Sequence, residues 1–227
     1  MNMDVIIPAL NEEASISKVI HDVPGNLVRN IVVVDNGSSD NTSANAEAAG
    51  AIVLREDQKG YGAACLKGLT HLDALENPPD RVAFIDGDYS DYPGDLIELS
   101  QLMDSKNLDL VLGERRTLSD RGALTPQQKV GNFIATQALW LIYGYRFRDL
   151  GPMRIITFDA LQRMKMTDTN YGWTVEMQIK AAKHKMAVAE IPVRYRERIG
   201  VSKVSGTIKG SFLAGYKILF TFFKYSK

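Results

Sequence analysis

Two carboxylates one residue apart are the chemically most informative feature of the sequence. Asp86 and Asp88, with Gly87 between them, directly follow the apolar run 82–85, which predicts a buried strand because charged residues bound it. Open α/β sheets bind ligands at the carboxyl ends of their strands, and a glycine there lets the backbone approach a ligand closely. Carboxylates suit Mg²⁺ or Mn²⁺, which commonly bridge a protein to phosphate oxygens. The motif therefore predicts a metal-assisted diphosphate site, with a simple turn as the alternative.

Two more polar segments follow predicted strands. Residues 8–13 come directly after the strand predicted at 5–7, and residues 34–42 end the strand predicted at 31–34. Both segments should therefore share a sheet edge with the carboxylate pair. Helix capping alone is the alternative explanation, since Asn, Ser and Asp are good N-cap residues. Acidic groups crowded at one edge repel one another, and a bound cation or a hydroxyl-rich ligand relieves that repulsion.

The elements that position these segments alternate between strand and helix. The predicted strands are apolar throughout, which is typical of a mainly parallel central sheet that helices cover on both faces, so we predict an α/β fold. The strands are predicted at 5–7, 31–34, 51–54, 82–85 and 108–112, and the helices between them at 12–23, 41–49, 60–75 and 95–103. The sequence has no G-x-G-x-x-G or P-loop motif, which argues against a nicotinamide enzyme and an ordinary ATPase.

The second half of the chain has a less regular pattern. Its elements are predicted as a loop at 115–126, helices at 127–143, 174–184 and 207–225, a strand at 187–193 and a basic loop at 194–206. The first of these loops is polar and rich in residues that break helices. Pro192 favours a sheet edge or a strand end, because proline has no N–H to donate.

Composition excludes several classes of protein. The chain has 227 residues, of which 45% are hydrophobic and 24% charged, as expected for a globular protein. A formal net charge of zero argues against nucleic-acid binding. Cys65 is the single cysteine, which excludes an internal disulfide and a cysteine zinc cluster, and we expect it to be a small buried apolar group. Residues 1–7 lack the pattern of a signal peptide, so the expected compartment is the cytoplasm.

The ordered motifs resemble the GT-A glycosyltransferases of family 2. The motifs that carry this resemblance are Pro8-Ala9-x-Asn11-Glu12, Val34-Asp35-Asn36-Gly37-Ser38-x-Asp40-x-Thr42, Lys59-Gly60-Tyr61-Gly62 and Asp86-Gly87-Asp88. The segments 149–154, 173–177 and 198–203 are similar to the branch that contains the dolichyl-phosphate mannose and dolichyl-phosphate glucose synthases. The resemblance implies a GT-A catalytic domain over residues 1–206. It also implies inverting transfer of a sugar from a nucleotide-diphosphate sugar to a polyprenyl phosphate.

The same resemblance implies roles for individual residues. Asp86 and Asp88 would hold Mg²⁺ or Mn²⁺ and the donor diphosphate, Arg115 would face the phosphates, and Arg198 would meet the donor or acceptor phosphate. The residues implied to bind the nucleotide-sugar are Pro8, Asn11, Glu12, Asp35, Lys59, Asp86 and Lys203, and those implied to act in catalysis are Asp88, Arg115 and Arg198. We also expect the 115–126 loop to close over the diphosphate and carry Arg115 inward, because such lids exclude water.

The chemistry of the acceptor leaves two interpretations open. A phosphate is already an anion and needs cations rather than a base, and Arg194, Arg196, Arg198 and Lys203 lie in one segment. A charged run is also often merely a solvated surface. A hydroxyl acceptor, on another lipid or on a glycan, would need a general base. Glu176 is then the catalytic candidate, although the helix dipole also favours a carboxylate in the first turn of a helix.

The C-terminal residues 207–227 predict an amphipathic helix in contact with a membrane. Its two faces consist of Ile208, Phe212, Tyr216, Leu219 and Phe223 on the apolar side and Lys217, Thr221 and Lys224 on the polar side. This pattern predicts a helix that lies in the membrane interface, with a terminal helix facing the protein core as the alternative. We expect a peripheral enzyme at the cytoplasmic membrane face. A non-catalytic nucleotide-sugar-binding subunit of a membrane complex is the alternative of another class.

Overall fold

The strands of the protein form one sheet. The computed structural model describes residues 2–200 together with Thr221 and Lys224. Within that part of the chain the strands are β1 (Met3–Ala9), β2 (Val28–Asp35), β3 (Ile52–Arg55), β4 (Arg81–Phe84), β5 (Leu110–Ser119), β6 (Arg154–Thr157) and β7 (Val188–Tyr195). Their order is β3-β2-β1-β4-β6-β5-β7, and of these strands β6 alone runs antiparallel to its neighbours. The mainly parallel α/β sheet predicted from the sequence is confirmed.

Helices cover both faces of this sheet. They are α1 (Ile16–Asp22), α2 (Thr42–Ala48), α3 (Tyr61–Asp73), α4 (Leu96–Lys106), α5 (Pro126–Tyr143), α6 (Phe158–Met164) and α7 (Trp173–Lys183). One apolar layer joins α1, α2 and α4 to the sheet and contains Val5 and Ile7. The other joins α3, α5, α6 and α7 and contains Ile6. Successive residues of β1 therefore enter opposite layers, as the alternation along a strand requires. Cys65 of α3 is buried in the second layer, as predicted.

Local sequence explains where the long helix α5 begins and ends. The Thr125 hydroxyl accepts a hydrogen bond from the Gln128 N–H, and the Gln128 side chain accepts one from the Thr125 N–H in return. Pro126, the residue after Thr125 in this capping box, suits the first helical position. Gly144, with a φ of 72°, ends the helix in the left-handed conformation that glycine adopts readily. The helix predicted at 127–143 is confirmed.

The strand at the sheet edge is longer than predicted. The loop predicted at 115–126 is wrong in its first part, since β5 continues to Ser119 beside β7. Backbone pairing with β7 resumes at Leu118 after an irregularity that begins at Glu114. Exposed polar side chains along this stretch hide the strand from a search for apolar patterns. Pro192 lies in the edge strand β7, which confirms that prediction.

The sequence pattern does not predict β6 and α6, and β6 matters for the site. Because β6 is antiparallel, its first residue, Arg154, pairs with Phe84 at the end of β4 and with Leu112 of β5. The segment that precedes β6 therefore reaches the same sheet edge as the carboxylate pair. Only four residues long, β6 is too short to stand out by its periodicity.

Gly62, the second residue of α3, lets the segment 168–171 lie directly against this helix. A Cβ atom at Gly62 would stand 2.0 Å from the carbonyl oxygen of Asp168. That oxygen belongs to the backbone and cannot rotate away. We expect Gly62→Ala to lower the free energy of unfolding by about 1–3 kcal/mol, as overpacking substitutions commonly do. Urea unfolding measures the change.

Gly131→Ala in α5 is the matched control. No described residue comes within 4 Å of the Cβ atom that this change introduces. Alanine inside a helix should leave stability unchanged or raise it by about 0.5–1 kcal/mol. Equal stabilities of the two variants would show that the 168–171 segment does not pack on α3 as described.

Candidate active site

A cavity of about 270 Å³ opens at the carboxyl ends of β1, β2 and β4. It lies at the edge predicted from the sequence, where open α/β sheets bind their ligands. The predicted site residues that line it are Pro8, Glu12, Lys59, Asp86, Asp88 and Arg198. Further lining side chains are Asn36, Tyr61, Asn170 and Tyr171.

Three carboxylates meet after the end of β4. Asp88 and Asp91 are buried and Asp86 is half-buried. Burial of the carboxyl and the neighbouring charge of Asp88 raise the pKa of Asp86 to about 7, although Tyr61 and Arg115 oppose the rise. Burial and the charges of Asp86 and Asp88 raise the pKa of Asp91 as well. Among the described residues, the Oδ1 atoms of Asp86 and Asp91 have no hydrogen-bond partner. Buried carboxylates that repel one another and have oxygens without hydrogen-bond partners favour a bound cation.

Arg198 closes one side of this cluster. Its Nη1 lies 3.1 Å from Oδ2 of Asp88, and its Nη2 lies 3.0 Å from Oε1 of Glu12. The Ile199 N–H donates to the carbonyl oxygen of Asp88 at 3.0 Å, so the backbone beside Arg198 is bound to the same loop. Arg198 therefore joins the first motif of the sequence to the carboxylate pair.

An arginine between two tyrosines fixes the segment that carries Arg198. The Arg196 N–H donates to the carbonyl oxygen of Ser90 at 2.9 Å, and its Nε donates to that of Tyr89 at 2.6 Å. Its guanidinium carbon lies 3.3 Å from the ring centroid of Tyr89 and 4.1 Å from that of Tyr92. Tyr89 has a φ of 65°, a left-handed conformation that is uncommon for an aromatic residue. These contacts hold the loop after β4 in one shape.

Arg154 brings a further positive charge close to the cluster. Its side chain is fully buried and donates to the carbonyl oxygens of Gly151 and Pro152. Burial lowers the pKa of Arg154, and the charge of Asp86 acts in the opposite direction. A guanidinium at this position offsets part of the repulsion among the carboxylates, since a buried charge needs a partner.

Two predicted nucleotide-binding residues shape the cavity without lining it. Asn11, with a φ of 54°, accepts a hydrogen bond from the Ser39 N–H at 2.8 Å. Asp35 accepts from the Ser38 N–H at 2.7 Å and from the Ser43 hydroxyl. Burial alone would raise the pKa of Asp35, but the two serines hold it below its ordinary value. Asn11 therefore ties the loop after β1 to the loop after β2, and Asp35 fixes the shape of the second loop.

Lys59 lines the cavity and braces the loop after β2. Its Nζ donates to the carbonyl oxygens of Asn36 and Gly37, both at 2.9 Å. The side chain of Asn36 accepts from the Gly60 N–H at 2.7 Å. The motif that begins at Lys59 therefore contributes to the site by holding the loop after β2 in place.

Glu176 does not line the cavity. It is fully buried in the first turn of α7 and accepts hydrogen bonds from the N–H groups of Thr167 at 2.9 Å and Asp168 at 2.7 Å. Its carboxylate also pairs with Nζ of Lys180 at 2.7 Å. The structure therefore does not place Glu176 where a general base could reach an acceptor. Its contacts instead fix the segment that leads to Asn170.

Arg115 lies in a second cavity, which is also about 270 Å³. Its guanidinium makes two hydrogen bonds to Asp149, at 2.7 Å and 2.9 Å. Burial would raise the pKa of Asp149, but Arg115 holds it below its ordinary value. In the structure, β5 and Asp149 hold the Arg115 side chain inside. Closure of the 115–126 loop over a diphosphate stays a prediction. Further lining residues are Arg116, Gln128, Lys129, Asn132 and Phe133.

Two predictions concern residues that the structure does not describe. Lys203 lies outside the described residues, as does the helix predicted at 207–225 apart from Thr221 and Lys224. Thr221 is helical and 1% exposed. A Cβ atom at Gly172 would stand 2.5 Å from its Oγ1 atom, so Thr221 packs against the segment before α7.

A comparison with protein families decides the class of protein. Residues 4–169 match the family described as Glycosyl transferase family 2. The chain belongs to this family. The glycosyltransferase class and the family resemblance predicted from the sequence are thereby confirmed.

Individual relatives of this glycosyltransferase agree with that assignment. It is 35% identical over 212 residues to an uncharacterized glycosyltransferase of Mycobacterium tuberculosis, covering 92% of this chain and 93% of the relative. It is 29% identical over 208 residues to the dolichyl-phosphate hexose transferase of Haloferax volcanii, covering 89% and 86%.

A solved structure shares its fold. Glucosyl-3-phosphoglycerate synthase from Mycobacterium tuberculosis, in complex with Mn²⁺, uridine diphosphate and phosphoglyceric acid, matches with a TM-score of 0.77 and 22% identity. The match covers 99% of this chain and 78% of that chain. The GT-A fold predicted from the sequence is confirmed.

The carboxylates of this glycosyltransferase fit a divalent cation that a substrate helps to hold. The described residues contain no group of three or more His, Cys, Asp or Glu side chains that could hold a metal ion by themselves. Asp86 and Asp88 offer the hard oxygen ligands that Mg²⁺ and Mn²⁺ prefer, and one oxygen of Asp86 has no hydrogen-bond partner among the described residues. Two protein carboxylates leave coordination positions for phosphate oxygens.

Asp91, Tyr61, Asn170 and Tyr171 belong to the site and are not predicted as site residues from the sequence. Asp91 carries a usable signal, because a third carboxylate so close to Asp88 should share its loop. Tyr61 also carries one, since it belongs to a motif that is part of the family resemblance. Asn170 and Tyr171 carry none, because tertiary packing of their segment on α3 brings them to the cavity.

Glu190 of β7 generates a prediction about pH. Its carboxylate accepts from the N–H groups of Arg148 and Asp149, and burial raises its pKa from 4.5 to about 7. The folded protein therefore binds this proton more tightly than the unfolded chain does. The stability that this proton provides is complete below pH 4.5 and is lost as the pH rises to about 7. We expect Glu190→Gln to remove this loss, so that its stability relative to wild type is higher at pH 8 than at pH 5.

Urea unfolding of wild type and variant at the two pH values measures the effect. The glutamine carbonyl can still accept both backbone hydrogen bonds, so the variant should fold. Glu98→Gln, at an exposed carboxylate of α4, is the control and should change stability equally at both pH values. The same pH dependence in Glu190→Gln and wild type would contradict the assignment.

Proposed function

We propose that this glycosyltransferase moves a sugar from a nucleotide-diphosphate sugar to the phosphate of a polyprenyl lipid, with inversion at the anomeric carbon. The observation that carries this proposal is that Arg115 acts on both cavities. It lines the second, where Arg116 and Lys129 add positive charge. Its own charge opposes the rise in pKa that burial gives Asp86 and Asp91 at the first. A cationic cavity beside a carboxylate cavity suits an anionic acceptor beside a metal-bound diphosphate.

A phosphate acceptor makes a general base unnecessary. One oxygen of the acceptor phosphate forms a bond to the anomeric carbon while the bond from that carbon to the donor diphosphate breaks. The nucleoside diphosphate leaves with the electron pair. Because the attacking oxygen carries no proton at neutral pH, no side chain has to accept one. Arg198, which contacts Asp88 and Glu12, is positioned to balance the charge that grows on the leaving diphosphate.

The metal and the nucleotide would bind in the first cavity. Asp86 and Asp88 would hold Mg²⁺ or Mn²⁺, which supplies charge stabilisation to the leaving diphosphate when it is bound. The presence of Mn²⁺ with uridine diphosphate in glucosyl-3-phosphoglycerate synthase supports this proposal. The nucleotide would lie along Pro8, Glu12 and Lys59, in a wall shaped by Asn11 and Asp35. Lys203 would add a further phosphate contact.

The similar proteins support a phosphorylated acceptor in two ways. The dolichyl-phosphate hexose transferase of Haloferax volcanii supports a lipid phosphate. The phosphoglyceric acid in glucosyl-3-phosphoglycerate synthase supports a small phosphorylated molecule as the second candidate. Transfer to a hydroxyl of another lipid or a glycan has less support, because the carboxylate of Glu176 lies outside the cavity.

The C-terminal residues 207–227 would form a membrane-facing helix after a catalytic domain of residues 1–206. In the predicted helix, Phe212 and Leu219 fall on the side opposite Thr221. Thr221 is buried against Gly172. Such a helix would turn its apolar side away from the protein, and the burial of Thr221 therefore supports the proposed contact with a membrane over the alternative of a helix facing the core.

Transfer of labelled sugar from UDP-sugars and GDP-sugars to a short-chain polyprenyl phosphate with Mn²⁺ tests the proposed function. We expect Asp88→Asn to lower turnover by about a hundredfold or more, the scale on which loss of transition-state charge stabilisation acts. The asparagine oxygen can still accept the Ser90 N–H bond, which measures 2.9 Å, so the fold should persist. Circular dichroism checks the fold.

Asp104→Asn is the control, because that carboxylate pairs with Arg81 at the opposite end of β4. It should keep wild-type turnover. Near-wild-type turnover of Asp88→Asn would contradict the assignment of Asp88 as a metal ligand. Transfer to phosphoglycerate without transfer to the polyprenyl phosphate would show that the acceptor is a small phosphorylated molecule and not a lipid.

A comparison of Arg198→Ala with Glu176→Gln separates the two acceptor chemistries. With a phosphate acceptor, Arg198→Ala should lower kcat/KM by about tenfold or more, since an anion loses its cationic partner. Glu176→Gln should retain catalysis and lose stability, because Lys180 loses the carboxylate that it contacts. Steady-state kinetics and thermal unfolding measure the two effects.

Arg194→Ala is the matched control, because that exposed arginine of the same segment pairs with Asp95 outside the cavity. Its kcat/KM should stay close to wild type. The reverse ranking, with Glu176→Gln inactive yet folded and Arg198→Ala active, would favour a hydroxyl acceptor and a base role for Glu176.

A further inference from the structure

Helix α5 turns an apolar stripe away from the protein. The stripe consists of Val130, Phe133, Ile134 and Leu141, which are 59%, 59%, 50% and 75% exposed. Their spacing places them on one side of the helix. Ala135 and Leu139, on the other side, are fully buried. An ordinary surface helix exposes polar residues to solvent. An exposed apolar stripe therefore indicates a surface that binds a partner and is removed from water.

The part of the sequence that contains the stripe carries positive charges and no negative ones. Residues 121–148, with α5 at their centre, contain no Asp or Glu, although the whole chain has 27 acidic and 27 basic residues. They contain four cations, all exposed: Arg121, Lys129, Arg146 and Arg148. Such a patch is complementary to an anionic surface.

An aromatic residue at the end of α5 fits the same surface. Trp140 is 39% exposed, and the guanidinium carbon of Arg146 lies 4.4 Å from its ring centroid. Aromatic rings with a polar partner are characteristic of the level of lipid headgroups. Among the described residues, no helix has the length and apolar character to cross a membrane. A helix with one apolar side and a basic border lies along a bilayer.

We infer that α5 lies in the surface of a bilayer rich in anionic headgroups, with its apolar stripe at the acyl boundary. A second copy of the chain is a less suitable partner, because a symmetric contact would bring four like charges against four others. The inference rests on the proposed lipid acceptor in one respect. Phe133 and Lys129 also line the second cavity, so an acceptor phosphate at headgroup level would reach Arg115 without leaving the membrane.

Co-sedimentation with phosphatidylcholine vesicles, with and without phosphatidylglycerol, tests this inference. The variant Val130→Gln, Ile134→Gln, Leu141→Gln leaves Phe133 in place because that residue lines the second cavity. We expect its partition onto phosphatidylglycerol vesicles to fall by about tenfold or more, since apolar side chains would no longer leave water. Transfer to a short water-soluble phosphate acceptor should be unchanged. Leu141→Glu alone, at the most exposed position, should act in the same direction.

The matched control is Ile52→Gln combined with Ile97→Gln, two side chains that are each 39% exposed elsewhere on the protein. It should bind vesicles like wild type. A charge variant, Arg121→Glu with Arg146→Glu, should remove the preference for phosphatidylglycerol.

Three results would overturn the inference. The first is unchanged vesicle binding by the triple variant. The second is loss of binding in Phe212→Ser, Leu219→Ser, Phe223→Ser but not in the α5 variants. The third is a wild-type dimer in analytical ultracentrifugation that the α5 triple variant dissociates while vesicle binding persists. If wild type transfers no sugar to any phosphate acceptor and the α5 variants still lose vesicle binding, the proposed function fails and the surface assignment stands.

Discussion

Repulsion among the three carboxylates after β4 is the constraint on which the site depends. Burial and the neighbouring charge of Asp88 raise the pKa of Asp86 to about 7, and two oxygens of the three carboxylates have no hydrogen-bond partner among the described residues. Negative charge of this density persists near neutral pH only when cations surround it. The chain provides them from distant segments: Arg115 from β5, Arg154 from β6 and Arg198 from the segment after β7. The second half of the fold thus completes a site whose carboxylates come from the first half.

Each of these cations is held by another group, which keeps the arrangement fixed in the absence of substrate. Glu190 binds the backbone of Asp149, and Asp149 in turn accepts two hydrogen bonds from the guanidinium of Arg115 and one from its N–H. Arg196, between its two tyrosines, fixes the loop against which Arg198 lies. A preorganised set of charges does not have to reorganise when charge develops on a leaving diphosphate, and this is the main source of electrostatic catalysis.

The sequence predicts what is local and fails where distant segments meet. The carboxylate pair and the motif that contains Glu12 could be placed because each follows an apolar strand, and parallel strands end at one edge. The end of β5 could not be predicted, because backbone pairing with β7, and not an apolar pattern, defines that part of the strand. The surroundings of Glu176, the base candidate for a hydroxyl acceptor, could not be predicted either, because a carboxylate in the first turn of a helix looks the same in the sequence whether it faces a cavity or, as here, the Thr167 backbone. Tertiary hydrogen bonds leave no periodic trace in a sequence.

The two substrates proposed for this enzyme would reach the site from different phases, one from a membrane and one from water. The carboxylate cavity lies at the end of the parallel strands, whereas the cationic cavity borders on α5. A lipid phosphate would be confined to the membrane plane and a nucleotide-sugar to water, so the reacting atoms can meet only at their boundary. Arg115 is the described residue that lines the cationic cavity and also acts electrostatically on Asp86. A guanidinium held there by Asp149 can oppose the repulsion between two phosphate groups, which is the main electrostatic obstacle to bringing such substrates together.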